Sequence, residues 1–467
     1  MPIYSKHKDH MKHAPQWERA RDASSGQDAV HAKGDAYLPK LADQTNNDYD
    51  AYKQRASYFN ATGRTVDGLV GMVFRKDIQI EQSGIDGLIK DVDLSGNSLD
   101  SLAQTVLREV ITVSRYGLLV EYPQVTEAPK TKADQLKSNL RPYVSKYPTE
   151  SIINWKVERV NNAMQFTLIV LAEKVSAKDD EYEPKMIDQI RELRLDGGVY
   201  LQRIWQKPEK KSKYEQIGSD IIPFIKNKPL SFIPFYPFGS DENSLTITES
   251  PILSLADLNL AHYRVNADYE HGCHFTGLPM LFFKGIDDAD DKGNKQNIHL
   301  GSQTAVVAPN PEADGKFIEF TGLGLGALEK NLESKEKQMA AIGARMLEQQ
   351  KNGVEAAETK KITSNGESSV LAAISKLTSA QLSKMLTFMA EWAGSNGEVI
   401  VNLNTDYMPA EMSAQELTAW VAARQSGSIS QQTFFNALKR GEAYESGTTF
   451  EEEQELISQE EPDLAVE

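Results

Sequence analysis

The segment ESPILSLADLNLAHYRVNADYEHGCHFTGLP, residues 249–279, carries the signals of a long helix. Ser250 is a good N-cap, Pro251 suits the first helical position, and apolar Ile252, Leu255, Leu258, Val265 and Tyr269 recur at helical spacing up to about His274. At about 1.5 Å per residue such a helix is roughly 35 Å long. Residues 276–322 then read as a compact insert of short strands, LPMLFF, TAVVA and KFIEF, separated by polar turns. Leu325, Leu328, Leu332, Met339, Ile342 and Met346 define a second long helix. After a polar segment, 351–363, a capping box from Ser364 to Glu367 opens a third, carrying Val370, Ile374, Leu377, Met385, Phe388 and Trp392. Two long helices thus bracket a small β module.

Outward from this centre, two short helices are expected at 414–426, behind the capping box Ser413 to Glu416, and at 431–440. Upstream lies an α+β region. Tyr49, Tyr52, Ala56 and Phe59, then Val66, Leu69, Val70 and Val73, repeat helically, with Gly63 as the expected break. A further amphipathic helix from Ser98 to Arg115 stops at Gly117 and passes into LLVEYP, 118–123. Strands follow at 152–157, 165–172, 189–195 and 199–205, the last two joined as a hairpin around Asp196-Gly197-Gly198. Residues 221–238 hold four prolines and read as an extended, packed connector. Residues 1–40 show no apolar period, so they read as a polar arm in which His7, His10 and His13 lack the surrounding ligands of a metal site.

Composition sets limits on function. The chain has 467 residues with a net charge of -16, and after Arg440 it has no Lys or Arg but nine Glu and one Asp. The tail therefore supplies most of the negative charge and reads as a solvated extension. Such a balance does not favour a protein that grips phosphate backbones by counterion release. No apolar run approaches the roughly 18 residues needed to cross a bilayer, and the polar first residues do not read as a secretory signal. The single cysteine, Cys273, excludes an internal disulfide and fits a reducing compartment.

Motifs for catalysis are weak. Gly322-Leu-Gly324-Leu-Gly326-Ala327 follows KFIEF and opens a helix, as a dinucleotide-binding turn would, but no second strand ending in an acidic residue follows about 20 residues on. His271, Cys273 and His274 are too close along one helix to converge on a metal, so a packed cysteine at a helix end is expected. A calcium loop begun at Asp288 fails at its fifth and twelfth positions, Lys292 and His299. The sequence holds no G-x-x-x-x-G-K-[ST], H-E-x-x-H or G-x-S-x-G, so no enzyme, cofactor or metal is expected.

The succession of 249–279, LGALEKNLESKEKQMAAIGARML (325–347), GESSVLAAISKLTSAQLSKMLTFMAEW (366–392) and SGSISQQTFFNALKRG (426–441) resembles the portal, or head-to-tail connector, protein of tailed bacteriophages. Residues 37–76 also resemble the start of a portal group. The resemblance implies an α+β, portal-like fold with an α/β wing, two long stem helices bracketing a β-containing clip, a helical crown and a disordered acidic tail. In its terms residues 1–40 are an N-terminal arm, 41–248 the wing, 249–275 stem helix 1, 276–322 the clip and 323–350 stem helix 2. The tunnel loop is then 351–363, the wing helix and return strand 364–408, the crown 409–441 and the acidic tail 442–467.

Function follows from the same resemblance: a dodecameric ring at one capsid vertex, in the virion, assembled in the host cytoplasm without a membrane. Double-stranded DNA passes through it during packaging and ejection without being read for sequence. The clip meets the terminase large subunit and later a head-completion or tail adaptor, and major capsid and scaffolding proteins are further partners. Lys351, Lys360 and Lys361 of the tunnel loop would touch phosphates, and Asp287, Asp288, Asp290, Lys292 and Lys295 would line the docking surface of the clip. Two other readings compete: a nucleotide-cofactor enzyme using the Gly322–Gly326 turn, and an oligomeric scaffold unrelated to DNA.

Overall fold

Hydrophobic periodicity and turn chemistry are read out in a computed structural model that describes residues 2–81, 85–123, 138–176, 185–208, 213–277, 280–284, 311–318, 322–346, 369–395, 397–407, 414–440, 444 and 448–460. From the N-terminus come α1 (Lys8–Ser25), α2 (Gln27–Ala32), α3 (Asn46–Arg55), α4 (Ala61–Val73), β1 (Gln79–Glu81), α5 (Asp86–Lys90), α6 (Leu99–Val113), β2 (Arg115–Glu121) and β3 (Tyr143–Pro148). A run of strands follows: β4 (Ile152–Val160), β5 (Ala163–Ser176), β6 (Met186–Asp196), β7 (Val199–Gln206), β8 (Glu215–Ile221), β9 (Phe224–Ile225), β10 (Lys228–Pro229) and β11 (Phe235–Gly239). The remainder is α7 (Leu253–Thr276), β12 (Met280–Lys284), β13 (Asp314–Ile318), α8 (Leu325–Arg345), α9 (Val370–Trp392), β14 (Ile400–Asn402), α10 (Ala414–Gln425), α11 (Gln431–Arg440) and α12 (Phe450–Glu460).

The chain divides into two units, one of residues 1–24, 62–254 and 343–467, the other of 25–61 and 255–342. In the first, β4 to β8 form a five-stranded meander and β11-β2-β3 a three-stranded sheet. Every strand pair in the described residues is antiparallel, as the expected α+β class requires, and the α/β character expected within residues 41–248 is absent from the described residues. Two-residue turns with positive φ close three hairpins: Asn161-Asn162, Gly197-Gly198 and Lys226-Asn227. Strand β2 is the centre, buried at all seven positions, and α6 and α9 pack on its sheet. At Gly117 of β2 an added Cβ would overlap the Phe235 ring of β11, so only glycine fits that pairing.

Polar groups tie the two sheets. Arg191 of β6 donates from Nη1 to Glu121 Oε1 at 3.0 Å and from Nε to Glu173 Oε1 at 2.7 Å. Tyr147 OH and Gln189 Nε2 also donate to Glu173, each at 2.6 Å, and Ser145 Oγ donates to Glu121. Burial works against the charged guanidinium, but Glu121 and Glu173 outweigh it and raise the Arg191 pKa.

Helix α9 holds β14 in an unusual way. Ser379, Ser383 and Thr387, four residues apart, accept hydrogen bonds from the backbone amides of Leu403, Val401 and Val399 at 3.0, 2.9 and 2.9 Å. One turn of helix rises about 5.4 Å and two strand residues about 6.6 Å, close enough for three successive matches. Strand β14 therefore has partners on both edges, β1 on one and a helix on the other. Replacing Ser383 by Ala leaves the buried Val401 amide unpaired, and a loss of about 1–3 kcal/mol is expected in a denaturant titration.

Several expectations are corrected. Residues 8–25 are not an uncored arm: α1 buries His10, Trp17, Ala20 and Ala23, a face too rich in Ala and His to register as an apolar period. The helix break falls at residues 56–60, while Gly63 lies buried inside α4. Helix α6 ends at Ser114, whose left-handed φ of 63° is supported by hydroxyl contacts to Ser240 and Thr248 at 2.6 Å; Gly117 belongs to β2. The proline-rich connector contains β11, where Pro237 is tolerated because the strand is at an edge. Helix α9 is capped by Ser369, which accepts from Ala372 N at 3.2 Å, whereas Ser364 to Glu367 lie outside the described residues. Within the acidic tail, 450–460 is helical rather than disordered: Thr449 and Glu452 cap it reciprocally and Phe450 meets the Phe435 ring edge-on.

Candidate functional site

The second unit contains the helix-hairpin-helix region on which the functional reading turns. Helix α7 runs 24 residues and presents amides and rings to the segment 25–61 of the same unit. Asn259 Nδ2 donates to Phe59 O at 2.8 Å and Asn266 Nδ2 to Ser57 O at 2.9 Å. Tyr263 packs between the rings of Tyr58 and His31. Tyr52 OH donates to Asp268 Oδ1 at 2.6 Å, and burial together with that carboxylate holds the phenol well above its ordinary pKa. These are the contacts of a clamped helix, with Asn259 and Asn266 bonded to carbonyls of a backbone that has left regular structure at 56–60.

Beyond α7, β12 and β13 pair antiparallel from Met280 opposite Ile318 to Lys284 opposite Asp314. Phe317 is 66% exposed, and Phe282 and Ile318 are also exposed. Helix α8 then leaves the hairpin at Gly322, whose φ is 63° and where Leu325 N donates back to Gly322 O at 2.9 Å. Gly272 of α7 makes room for the Leu325 side chain; an added Cβ would lie 2.6 Å from Leu325 Cδ2. His262 Nε2 of α7 faces Glu336 Oε1 of α8 at 3.4 Å without a formed hydrogen bond, so the contact is Coulombic. Burial lowers the His262 pKa and Glu336 opposes that shift.

The Gly322–Gly326 turn is a packing device. Its preceding strand, β13, pairs antiparallel with β12, whereas a dinucleotide site needs a parallel βαβ unit. His271 and His274 both meet the ring of Phe275, and Cys273 is half-buried on the same helix. His7 stacks on Trp155, His10 faces Ile152 O and His13 faces Gln16, so the three histidines do not converge. Among the described residues no group of three or more His, Cys, Asp and Glu is placed to hold a metal ion, and no described helix is long and apolar enough to cross a membrane.

All eight residues singled out from the sequence, Lys351, Lys360 and Lys361 and Asp287, Asp288, Asp290, Lys292 and Lys295, lie outside the described residues. So does the strand-like TAVVA, 304–308. Their neighbours are placed: Lys284 and Asp314 end the paired hairpin, Met346 precedes the three lysines and Ser369 follows them. Sequence reasoning missed the exposed Phe282, Phe317 and Ile318, whose alternation in two short apolar runs was the available signal.

A family described as a domain of unknown function (DUF4055) matches residues 251–393, less than a third of the chain, from the start of α7 to the end of α9. Comparison with curated proteins gives no match. Among solved structures the chain is similar to one from the virion of a native gene transfer agent (GTA) particle, with a TM-score of 0.40, 11% identity, and coverage of 89% of this chain and 99% of that one. It is also similar to chains in the neck of the native GTA particle computed with C12 symmetry (TM-score 0.37, 11% identity, 89% of this chain and 98% of that one) and of the empty particle computed with C6 symmetry (0.36, 11%, 81% and 90%). Scores below 0.5 fall short of a shared fold.

Proposed function

We propose that the chain is a portal-type subunit of a phage-like particle, which closes with copies of itself into a dodecameric ring that conducts double-stranded DNA. The observation that carries the reading is the succession α7, exposed hairpin, α8, α9, with helices of 24, 21 and 23 residues. In this reading α7 and α8 are the stem helices, the hairpin and residues 285–313 the clip, 351–363 the tunnel loop, α9 the wing helix, and α10 and α11 the crown. The reading rests on this order and on the exposure of its parts, and not on the weak structural likenesses.

Exposure supports a ring. Over about 32 Å of helix, α8 buries only Leu332 and Met339 among the described residues, while Leu325, Leu328 and Ile342 are half-covered by them. A two-stranded hairpin with exposed Phe282, Phe317 and Ile318 is marginal in water by itself. Neighbouring copies in heterologous, closing contact would cover both. The clip would dock the terminase large subunit and later a tail adaptor, while capsid and scaffolding proteins meet the rest of the ring. The role is structural, in the virion, and the motor chemistry belongs to the partner.

A conduit needs weak contact with its cargo. The net charge of -16 repels the duplex, and Lys351, Lys360 and Lys361 give sequence-independent phosphate contacts that Glu355 and Glu358 limit. Replacing the three lysines with Ala is expected to leave ring assembly intact and to change the length or retention of packaged DNA. Particles indistinguishable from the parent in packaging, retention and ejection would reduce 351–363 to a connector.

A further inference from the structure

Arg115, the first residue of β2, is 1% exposed, and none of its three guanidinium nitrogens has a hydrogen-bond partner among the described residues. Its guanidinium carbon lies 4.2 Å from the centre of the Trp155 ring, on which the His7 ring also stacks at 4.0 Å. Asp9 is the carboxylate whose charge favours the guanidinium, yet its side chain is 56% exposed and sits 3.5 Å from His7 Nδ1. An aromatic face compensates a buried cation only in part, and a buried charge without paired hydrogen bonds is costly.

The segment that lies alongside is residues 2–11. It follows the edge of β4, an outer strand of the five-stranded sheet: His7 N donates to Ile153 O at 2.8 Å, and Asn154 Nδ2 donates to Ser5 O at 2.9 Å. Ile3 packs on Ile153, Val170 and Ile190, Tyr4 meets the Tyr214 ring, and His10 Nδ1 faces Ile152 O at 3.2 Å. The later part of α1 is fixed separately, by buried Trp17, Ala20 and Ala23 and by Arg21, whose guanidinium bonds Glu109 and Glu150. A firm anchor is thus followed, toward the N-terminus, by a segment over an unpaired charge.

We propose that residues 2–11 are a releasable strap on the β4 edge, held near its opening threshold by the unpaired guanidinium of Arg115. Closed, the strap removes Arg115 from water and occupies the strand edge. Open, it hydrates the guanidinium and frees the Ile153 carbonyl on the β4 edge for pairing with another chain. Opening therefore occurs locally, without unfolding of the central sheet. The charge at Arg115 opposes closure, and the Asp9 carboxylate favours it.

Hydrogen exchange read by mass spectrometry on the full chain tests this with Arg115→Met, Asp9→Asn and the double variant. Arg115→Met removes the unpaired charge while filling the same space, and exchange of amides 3–11 should slow about tenfold, with amides of α6 unchanged. Asp9→Asn should speed strap exchange severalfold in the parent and distinctly less in the Arg115→Met background, where only its effect on the helix terminus remains. Strap exchange in Arg115→Met as fast as in the parent, or faster, overturns the proposal. Were α6 also to lose protection in that variant, the single Asp9→Asn measurement decides, and unchanged strap exchange there overturns it equally.

Discussion

Arg191→Met is expected to lower the free energy of unfolding by about 3–5 kcal/mol, because it leaves two carboxylates whose side chains are only 9% and 12% exposed without their shared cation. Glu121 and Glu173 come from different sheets, and in the native chain each bonds to Arg191 at 3.0 and 2.7 Å. Gln189 and Ser145 donate to the other oxygen of each carboxylate and Tyr147 shares Glu173 Oε1 with Arg191, so the whole cluster loses its complement when the guanidinium goes. Adding Glu121→Gln and Glu173→Gln to Arg191→Met should restore part of the loss, since neutral amides no longer repel. Denaturant titration followed by tryptophan fluorescence measures both. A loss below about 1 kcal/mol would mean that the cluster is solvated and does not join the sheets.

The largest functional effect is expected from deleting residues 285–297. These lie between Lys284, the last paired residue of β12, and Asp314, the first of β13, and removing them shortens that connection by roughly half. Loop-closure entropy changes by less than about 1 kcal/mol, so the hairpin and its register should survive and the protomer should fold as before. In the portal reading the deletion removes Asp287, Asp288, Asp290, Lys292 and Lys295, the charged surface offered to the packaging motor. Particles carrying the shortened protein should assemble and contain no packaged DNA, as measured by nuclease-protected DNA per particle. Normal packaging would remove 285–297 from the docking surface.

The sequence makes visible those elements whose apolar residues repeat with a clean period or whose turns have distinctive chemistry. Helix α6 is plain from Leu99, Leu102, Val106 and Val110, and the β6–β7 hairpin from Gly197-Gly198. Elements held by other means are hidden. Helix α1 is anchored by small and polar side chains and by Trp17 alone among large ones. The Ser379, Ser383 and Thr387 ladder reads in sequence as an ordinary polar face, because nothing local announces a strand bonded to a helix through hydroxyls. Arg115 is buried with its guanidinium against the Trp155 ring, forty positions further on, so its burial has no local trace. The acidic tail conceals the capping box Thr449 to Glu452, where the weight of negative charge outvotes a cap signal legible in four residues. In the helix-hairpin-helix region the order of elements was legible, and the exposed faces of the hairpin were not, since burial depends on what else covers them.

Single-particle imaging of the purified full-length chain at micromolar concentration tests the central claim most directly. The portal reading predicts closed rings with a central channel, in which α7 and α8 of neighbouring copies line the wall. Isolated subunits under every salt condition tried, or assemblies without a channel, would contradict it.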